Sequence, residues 1–226
     1  MKKLVLMGTV LFCASIGINA QKCNMYFPSR EGSESEMTSY NAKDKIEGVT
    51  KTVILKKETG ANGVSLLFES VYSDNSGQEK GKGQYKVRCH NGVFYFNMES
   101  MMPQQNGDQA SMEVKSDELE FPANPQIGQT LKDAKMTMVM KSGNVTVMEM
   151  SMSITNRKVE SYEEITTPAG TFNCYKVTYN VRTHAMFDVE VKAVQWVAED
   201  VGVVKTENYD NKGKKVNYSL LTAFRP

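Results

Sequence analysis

The sequence predicts an all-β protein built on a single antiparallel, strongly curved sheet, half-barrel or barrel-like, with at most one or two short helices. Three observations carry this. No segment longer than about eight residues holds a 3.6-residue apolar period, so helices are minor. Short runs rich in Val, Ile, Thr, Tyr and Phe recur at intervals of about 8 to 15 residues between Gly, Pro, Asn and Asp, the spacing of an antiparallel meander. About twelve such runs in one sheet must curl, because strands twist. Half-barrel, closed barrel and sandwich all satisfy these conditions.

The chain opens with Lys2 and Lys3, continues through an apolar run from Leu4 to Ile18 and reaches Ile18-Asn19-Ala20. This is the layout of a secretory signal peptide cut near Ala20. The apolar run is shorter than the roughly 20 residues a bilayer span needs, and no membrane span is expected. A lipoprotein anchor is not expected either, since Phe12 precedes Cys13 and Lys22 precedes Cys23. Residues 1–20 are read as leader and 21–226 as one β domain, periplasmic or secreted. Removing Lys2 and Lys3 from the 27 basic residues leaves 25 against 26 acidic ones. The charges are intermixed, so nothing recruits nucleic acid.

After an irregular start containing Pro28 and Gly32, the first strand is expected near Glu36 to Asn41. Val49 to Lys57 and Val64 to Tyr72 are β-branched runs joined by a Gly60 to Gly63 loop, and so read as a hairpin. The Gly-rich, charged stretch from Ser73 to Gly83 is expected to be a loop. Gln84 to His90 and Val93 to Met98 flank Asn91-Gly92, a strong hairpin signal. Glu99 to Ala110 suggests a helical turn followed by loop, Ser111 to Phe121 one extended run, and Pro122 to Leu131 a crossing loop. Beyond Ile154, strands are expected at Val159 to Thr166, Phe172 to Arg182, Phe187 to Ala198, Val201 to Tyr209 and Val216 to Phe224.

Residues Met136 to Ile154 hold Met at every second position on either side of a Ser142-Gly143-Asn144 turn. Successive strand side chains point to opposite faces. Met136, Met138 and Met140 therefore share one face, and Met148, Met150, Met152 and Ile154 share one face of the returning strand. Thr137, Glu149, Ser151 and Ser153 fall on the other, where they can meet solvent. Three readings of the Met face stay open: a packed core, for which the flexible thioether is suited; the lining of a site for an apolar small molecule or lipid; and a Cu(I) site, since soft thioethers select that ion.

Two sequence runs, Asn156 to Tyr179 and Val194 to Thr222, carry a family likeness. Their most specific parts are Thr167-Pro168-Ala169-Gly170-Thr171-Phe172, the Trp196 strand followed by Val201-Gly202-Val203-Val204, and Tyr209-Asp210 to Gly213. They resemble the TapB-like family of exported Bacteroidetes proteins, related to a larger periplasmic family without an established activity. The resemblance implies an antiparallel β fold of the half-barrel type found in periplasmic lipoprotein carriers, and implies no activity. Read for itself, Pro168-Ala169-Gly170 is a turn. Trp196 shares a strand face with Val194 and Ala198, as a core or rim anchor or as a residue for ligand stacking.

There is no G-x-S-x-G, H-E-x-x-H, Walker or dinucleotide fingerprint. No catalytic residue, cofactor or metal ligand is assigned, and a non-enzymatic role is expected. His90 beside Cys89 lacks the orienting group a thiol nucleophile needs. Glu163-Glu164 and Asp117-Glu118 read as solvated strand edges. Of four Cys, Cys13 leaves with the leader, and a bridge from Cys23 to Cys89 is expected, with Cys174 left as a small buried hydrophobe. The functional expectation is an exported envelope protein that binds an apolar or lipid-like ligand through Met136, Met138, Met140, Met148, Met150, Met152 and Trp196. The alternative is a structural or partner-binding envelope module with a filled core and no small-molecule ligand.

Overall fold

The computed structural model describes residues 26–60, 63–98, 111–143 and 145–226, and side chains from 113 onward after the second gap. The leader, Cys23, the helical turn expected in Glu99 to Ala110, and Asn144 lie outside these residues. The described chain contains thirteen strands: β1 Glu34–Asn41, β2 Ile46–Gly60, β3 Gly63–Asp74, β4 Glu79–His90, β5 Val93–Asn97, β6 Ser111–Ser116, β7 Glu118–Pro122, β8 Ala134–Ser142, β9 Val145–Thr167, β10 Gly170–His184, β11 Asp188–Ala198, β12 Gly202–Tyr209 and β13 Lys215–Arg225. All belong to one antiparallel sheet in the order β6-β8-β9-β10-β11-β12-β13-β1-β2-β3-β4-β5-β7, nearly closed into a barrel, with no helix among the described residues. The expected all-β, strongly curved sheet is present.

Two meanders make up this order. β1 to β5 and β8 to β13 each run strand by strand through short turns, and the first and last strands pair, Glu34 opposite Arg225 and Ser39 opposite Ser219. Closure on the opposite side comes from the segment expected as one extended run, Ser111 to Phe121. It is two strands on the two edges of the sheet. β6 lies against β8 and β7 against β5, and Asp117 alone separates them. At this joint the Asp117 amide donates to the Lys135 carbonyl (2.8 Å) and the Lys135 amide donates to Asp117 Oδ2 (2.9 Å). A side-chain oxygen thus replaces a backbone acceptor where the strand changes partners.

Two further expectations are corrected. The Gly-rich stretch is a loop only as far as Gln78, since β4 begins at Glu79. Gly81 and Gly83 continue the alternation of Tyr85, Val87 and Cys89, opposite Tyr72 and Ser70, and the ladder outweighs the weak strand preference of Gly. The run ending at Ile154 and the strand expected from Val159 are one strand, β9, which continues through a left-handed Asn156 (φ 54°). β9 takes two neighbours on its outer edge in turn. β8 covers it as far as Ile154. The β7–β8 connection follows, with Gly128 N–H donating to the Val159 carbonyl (2.8 Å) and Leu131 N–H to that of Arg157 (2.8 Å). The Arg157 side chain is buried and donates from Nη1 to the Lys132 carbonyl (2.6 Å), fastening the connection.

The largest core cluster holds Ile54, Leu66, Phe68, Val87, Cys89, Phe94 and Val197 with Tyr26 from the segment before β1. Tyr26 meets Phe94 of β5, Phe121 of β7 and Tyr175 of β10 edge-on, at centroid distances of 6.5, 5.2 and 5.9 Å. It therefore packs between strands from both sides of the closure, and its burial pushes the phenol pKa upward. Replacing Tyr26 by Ala is expected to cost roughly 3 to 5 kcal/mol, the range for truncating a buried aromatic, whereas Phe, which keeps the three ring contacts, should stay within about 1.5 kcal/mol. Urea unfolding followed by near-ultraviolet circular dichroism checks both.

Candidate functional site

The Met residues pair directly. Met136 stands opposite Met152, Met138 opposite Met150 and Met140 opposite Met148, with a register shift just beyond, at Lys141. Strand pairing also sets Val114 of β6 opposite Met138. Burial then falls along the hairpin. Met136 and Met138 are 2% and 5% exposed, Met140, Met150 and Met152 are partly buried, and Met148 is 40% exposed. The buried end packs with Met98, Ala134, Leu119, Val114 and Ile154.

Met98 and Leu119 come from the far side of the closure, so the Met face is where the two sheet edges pack together. Met98 was legible as the third member of the Phe94, Phe96, Met98 alternation, though nothing in the sequence places it against the hairpin. The structure therefore divides one expected site in two: a core end at Met136 and Met138, beside which Met150 and Met152 pack, and an open end at Met140 and Met148.

Trp196 is not brought to the Met face. It is 5% exposed and belongs to a different cluster with Cys174, Val194, Ala198, Val204 and Leu221. Its Nε1–H donates to Glu163 Oε1 (2.6 Å), and Lys205 and Lys176 lie 4.5 and 5.4 Å from its ring centroid. Glu163, expected as a solvated edge carboxylate, is thus the acceptor for the indole, and this bond holds its pKa below the ordinary range. Cys174 is free and buried, and burial pushes its thiol up to about 11, which keeps it protonated and inert.

Beside Trp196 lies an open recess of about 590 Å³ lined by Lys176, Asn180, Lys192, Glu207, Tyr209 and Asn211, among others. Tyr209 donates to Glu207 Oε2 (2.5 Å), and that bond pushes the phenol up to about 12. Glu207 also pairs with Lys205 at 3.0 Å. Lys205, Glu207 and Tyr209 thus satisfy one another along one face of β12.

A second recess, on the outer face of β8 to β11, gathers Lys135, Ser151, Ser153, Arg182, His184 and Asp188. Ser151, His184 and Asp188 stand in cross-strand register, and His184 Nδ1 lies 2.7 Å from Asp188 Oδ1. This resembles the order of a nucleophile, base and orienting group. Among the described residues, however, no hydrogen bond joins Ser151 to His184, and His184 and Asp188 are exposed. His90 Nε2 contacts Asn91 Nδ2 (2.9 Å). Among the described residues no three His, Cys, Asp or Glu side chains gather as a metal site, and no helix is long and apolar enough to cross a membrane.

The protein has one Trp, so its fluorescence reports on the bond to Glu163. The carboxylate pKa is lower folded than unfolded. Its stabilising contribution is therefore full above the ordinary glutamate value of about 4.3 and disappears as pH falls through the lower folded value. Indole emission should shift in acid below pH 4.3, and Glu163→Gln should abolish that titration while leaving the fold intact.

No protein of curated function matches the sequence. Solved structures do. A Bacteroides fragilis protein, described as exported and as having a YmcC-like fold, superposes with a TM-score of 0.76 at 22% identity, over 90% of this chain and 100% of the other. A Parabacteroides distasonis protein described as a lipoprotein gives 0.77 at 26% identity, over 91% and 100%. The family profile described as DUF3108-like matches residues 30–221, which include every strand of the Met hairpin and the Trp196 cluster, and the chain belongs to that family.

Proposed function

We propose that the chain is an exported protein of the bacterial envelope, matured by removal of residues 1–20, which works by binding rather than catalysis and holds an apolar or lipid-like ligand along the open end of its Met face. The graded burial from Met136 (2% exposed) to Met148 (40%) carries this reading, because one end anchors the hairpin while the other presents adaptable thioethers. The exported and lipoprotein descriptions of the two structural relatives support the envelope setting, and the TapB-like likeness supports it within the family. The full burial of Met136 and Met138 favours a second reading, a packed structural module that binds an envelope protein and no small molecule.

The two readings separate by mutation. Met136→Ala should cost about 2 to 5 kcal/mol under either, through lost transfer energy and a void. Met140→Ala and Met148→Ala should cost much less, yet weaken saturable binding of a fluorescent long-chain fatty acid. If the wild-type protein shows no saturable binding of such probes, the structural module is the correct reading. Leu at the same positions keeps the volume and should preserve fatty-acid binding within about 1.5 kcal/mol. Copper(I) uptake lost in the Leu variants would instead identify a thioether metal site.

We further propose the bridge from Cys23 to Cys89. Cys89 is 2% exposed in the same cluster as Tyr26, which lies three residues beyond Cys23, and Cys174 is the free thiol. A bridge closing this loop would stabilise by about 4 to 5 kcal/mol in the chain-entropy model. Peptide mapping without reductant should recover the Cys23–Cys89 pair; a bridged Cys174 refutes it.

A further inference from the structure

Six of the eleven large apolar side chains exposed among the described residues gather on two neighbouring hairpin tips: Val145, Val147 and Met148 where β8 turns into β9, and Met186, Phe187 and Val189 where β10 turns into β11. Met186 and Phe187 are 84% and 75% exposed. The tips are side by side because β9 runs along β10, Ser151 opposite His184 and Ser153 opposite Arg182. Met148 stands three residues beyond Ser151 along β9, roughly 10 Å at about 3.3 Å per residue, while Met186 and Phe187 lie in the short turn between His184 and its cross-strand partner Asp188. An apolar cluster of this kind marks an interaction surface.

What lies behind the tips defines the partner. The outer recess presents the Ser151 and Ser153 hydroxyls and the Lys135 ammonium, for which no side-chain partner is found among the described residues. Asp188 neutralises its neighbours, pairing with Arg182 at 2.9 Å and His184 at 2.7 Å, and Glu113 pairs with Lys141 at 2.8 Å. In this band Lys115, Lys135, Lys141 and Arg182 are balanced by Glu113, Glu149, Asp188 and Glu190. The order from tip inward is therefore apolar, then mixed cation, hydroxyl and carboxylate without net charge. That is the order of a zwitterionic lipid surface met from its acyl side outward.

We propose that the protein rests on a zwitterionic phospholipid bilayer through these two tips, with Phe187 and Met186 in the acyl border and Lys135, Ser151 and Ser153 at the lipid phosphates. The turns dip in without spanning, since open strand edges cannot be left in hydrocarbon. This surface is the outer face and tips of the hairpins, and it adjoins the Met face, to which the fatty-acid ligand is assigned, at Met148.

Co-sedimentation of the purified chain with phosphatidylcholine–phosphatidylethanolamine vesicles tests it, every variant carrying the same N-terminus as wild type. Wild type should partition onto the vesicles, and Met186→Ser with Phe187→Ser should reduce partition by about tenfold or more, the scale of keeping two large apolar groups in water. Leu55→Ser with Ile127→Ser, which alters exposed apolar groups elsewhere, should leave it unchanged, as should 0.5 M salt, because net charge is not the attraction. Failure of wild type to partition, equal losses in the tip and control variants, or binding that needs anionic lipid and vanishes in salt would each overturn the proposal.

Discussion

Every strand must place its amide and carbonyl groups on a neighbour or in water, and a sheet of thirteen strands leaves two edges exposed to unwanted pairing. Here both edges converge on one residue. Asp117 joins β6 to β7, so the two edge strands are consecutive in the chain although they stand at opposite ends of the sheet order. The Asp117 carboxylate accepts the Lys135 amide at the point where the backbone leaves β8 for β5. Closing the sheet by a strand that changes sides, rather than by an uninterrupted ladder, gives the barrel a seam.

The seam explains where the packing is most demanding. Along it, Met98 and Leu119 from one side meet Met136 and Val114 from the other, and Met suits this junction because its unbranched thioether fills irregular gaps. Tyr26 crosses between Phe121 and Tyr175, and the β7–β8 connection takes over the edge of β9 where β8 ends. The sheet is thus completed by three unlike devices: thioether packing, an aromatic plug and a connection that pairs as a strand would. Away from the seam, the hairpins project beyond the core, and apolar groups become available to a ligand or surface there.

The Trp196 cluster shows how polar groups are accommodated away from the seam. The indole N–H finds a carboxylate from β9, two lysines cover the ring, and Tyr209 and Lys205 share Glu207. Exposed ion pairs contribute little stability each, so the cluster rests on the buried apolar bodies of Trp196, Val194 and Leu221 and on satisfying the indole donor, which would otherwise be buried without a partner. Such mutual satisfaction positions side chains.

Strand alternation and turn chemistry are local, so the sequence alone determined the all-β class, the curved antiparallel sheet, most strand positions and the shared face of the Met residues. It also placed Trp196 on a strand face with Val194 and Ala198. Partner choice is not local. Whether Ser111 to Phe121 was one strand or two depended on which edges lay within reach at Asp117. That β9 ran unbroken through Asn156 depended on two successive partners holding its outer edge. That Met136 was core while Met148 was open depended on Met98 and Leu119 arriving from the other end of the sheet order. Periodicity records which side chains share a face; what that face meets was decided only when the sheet curled and brought its edges together.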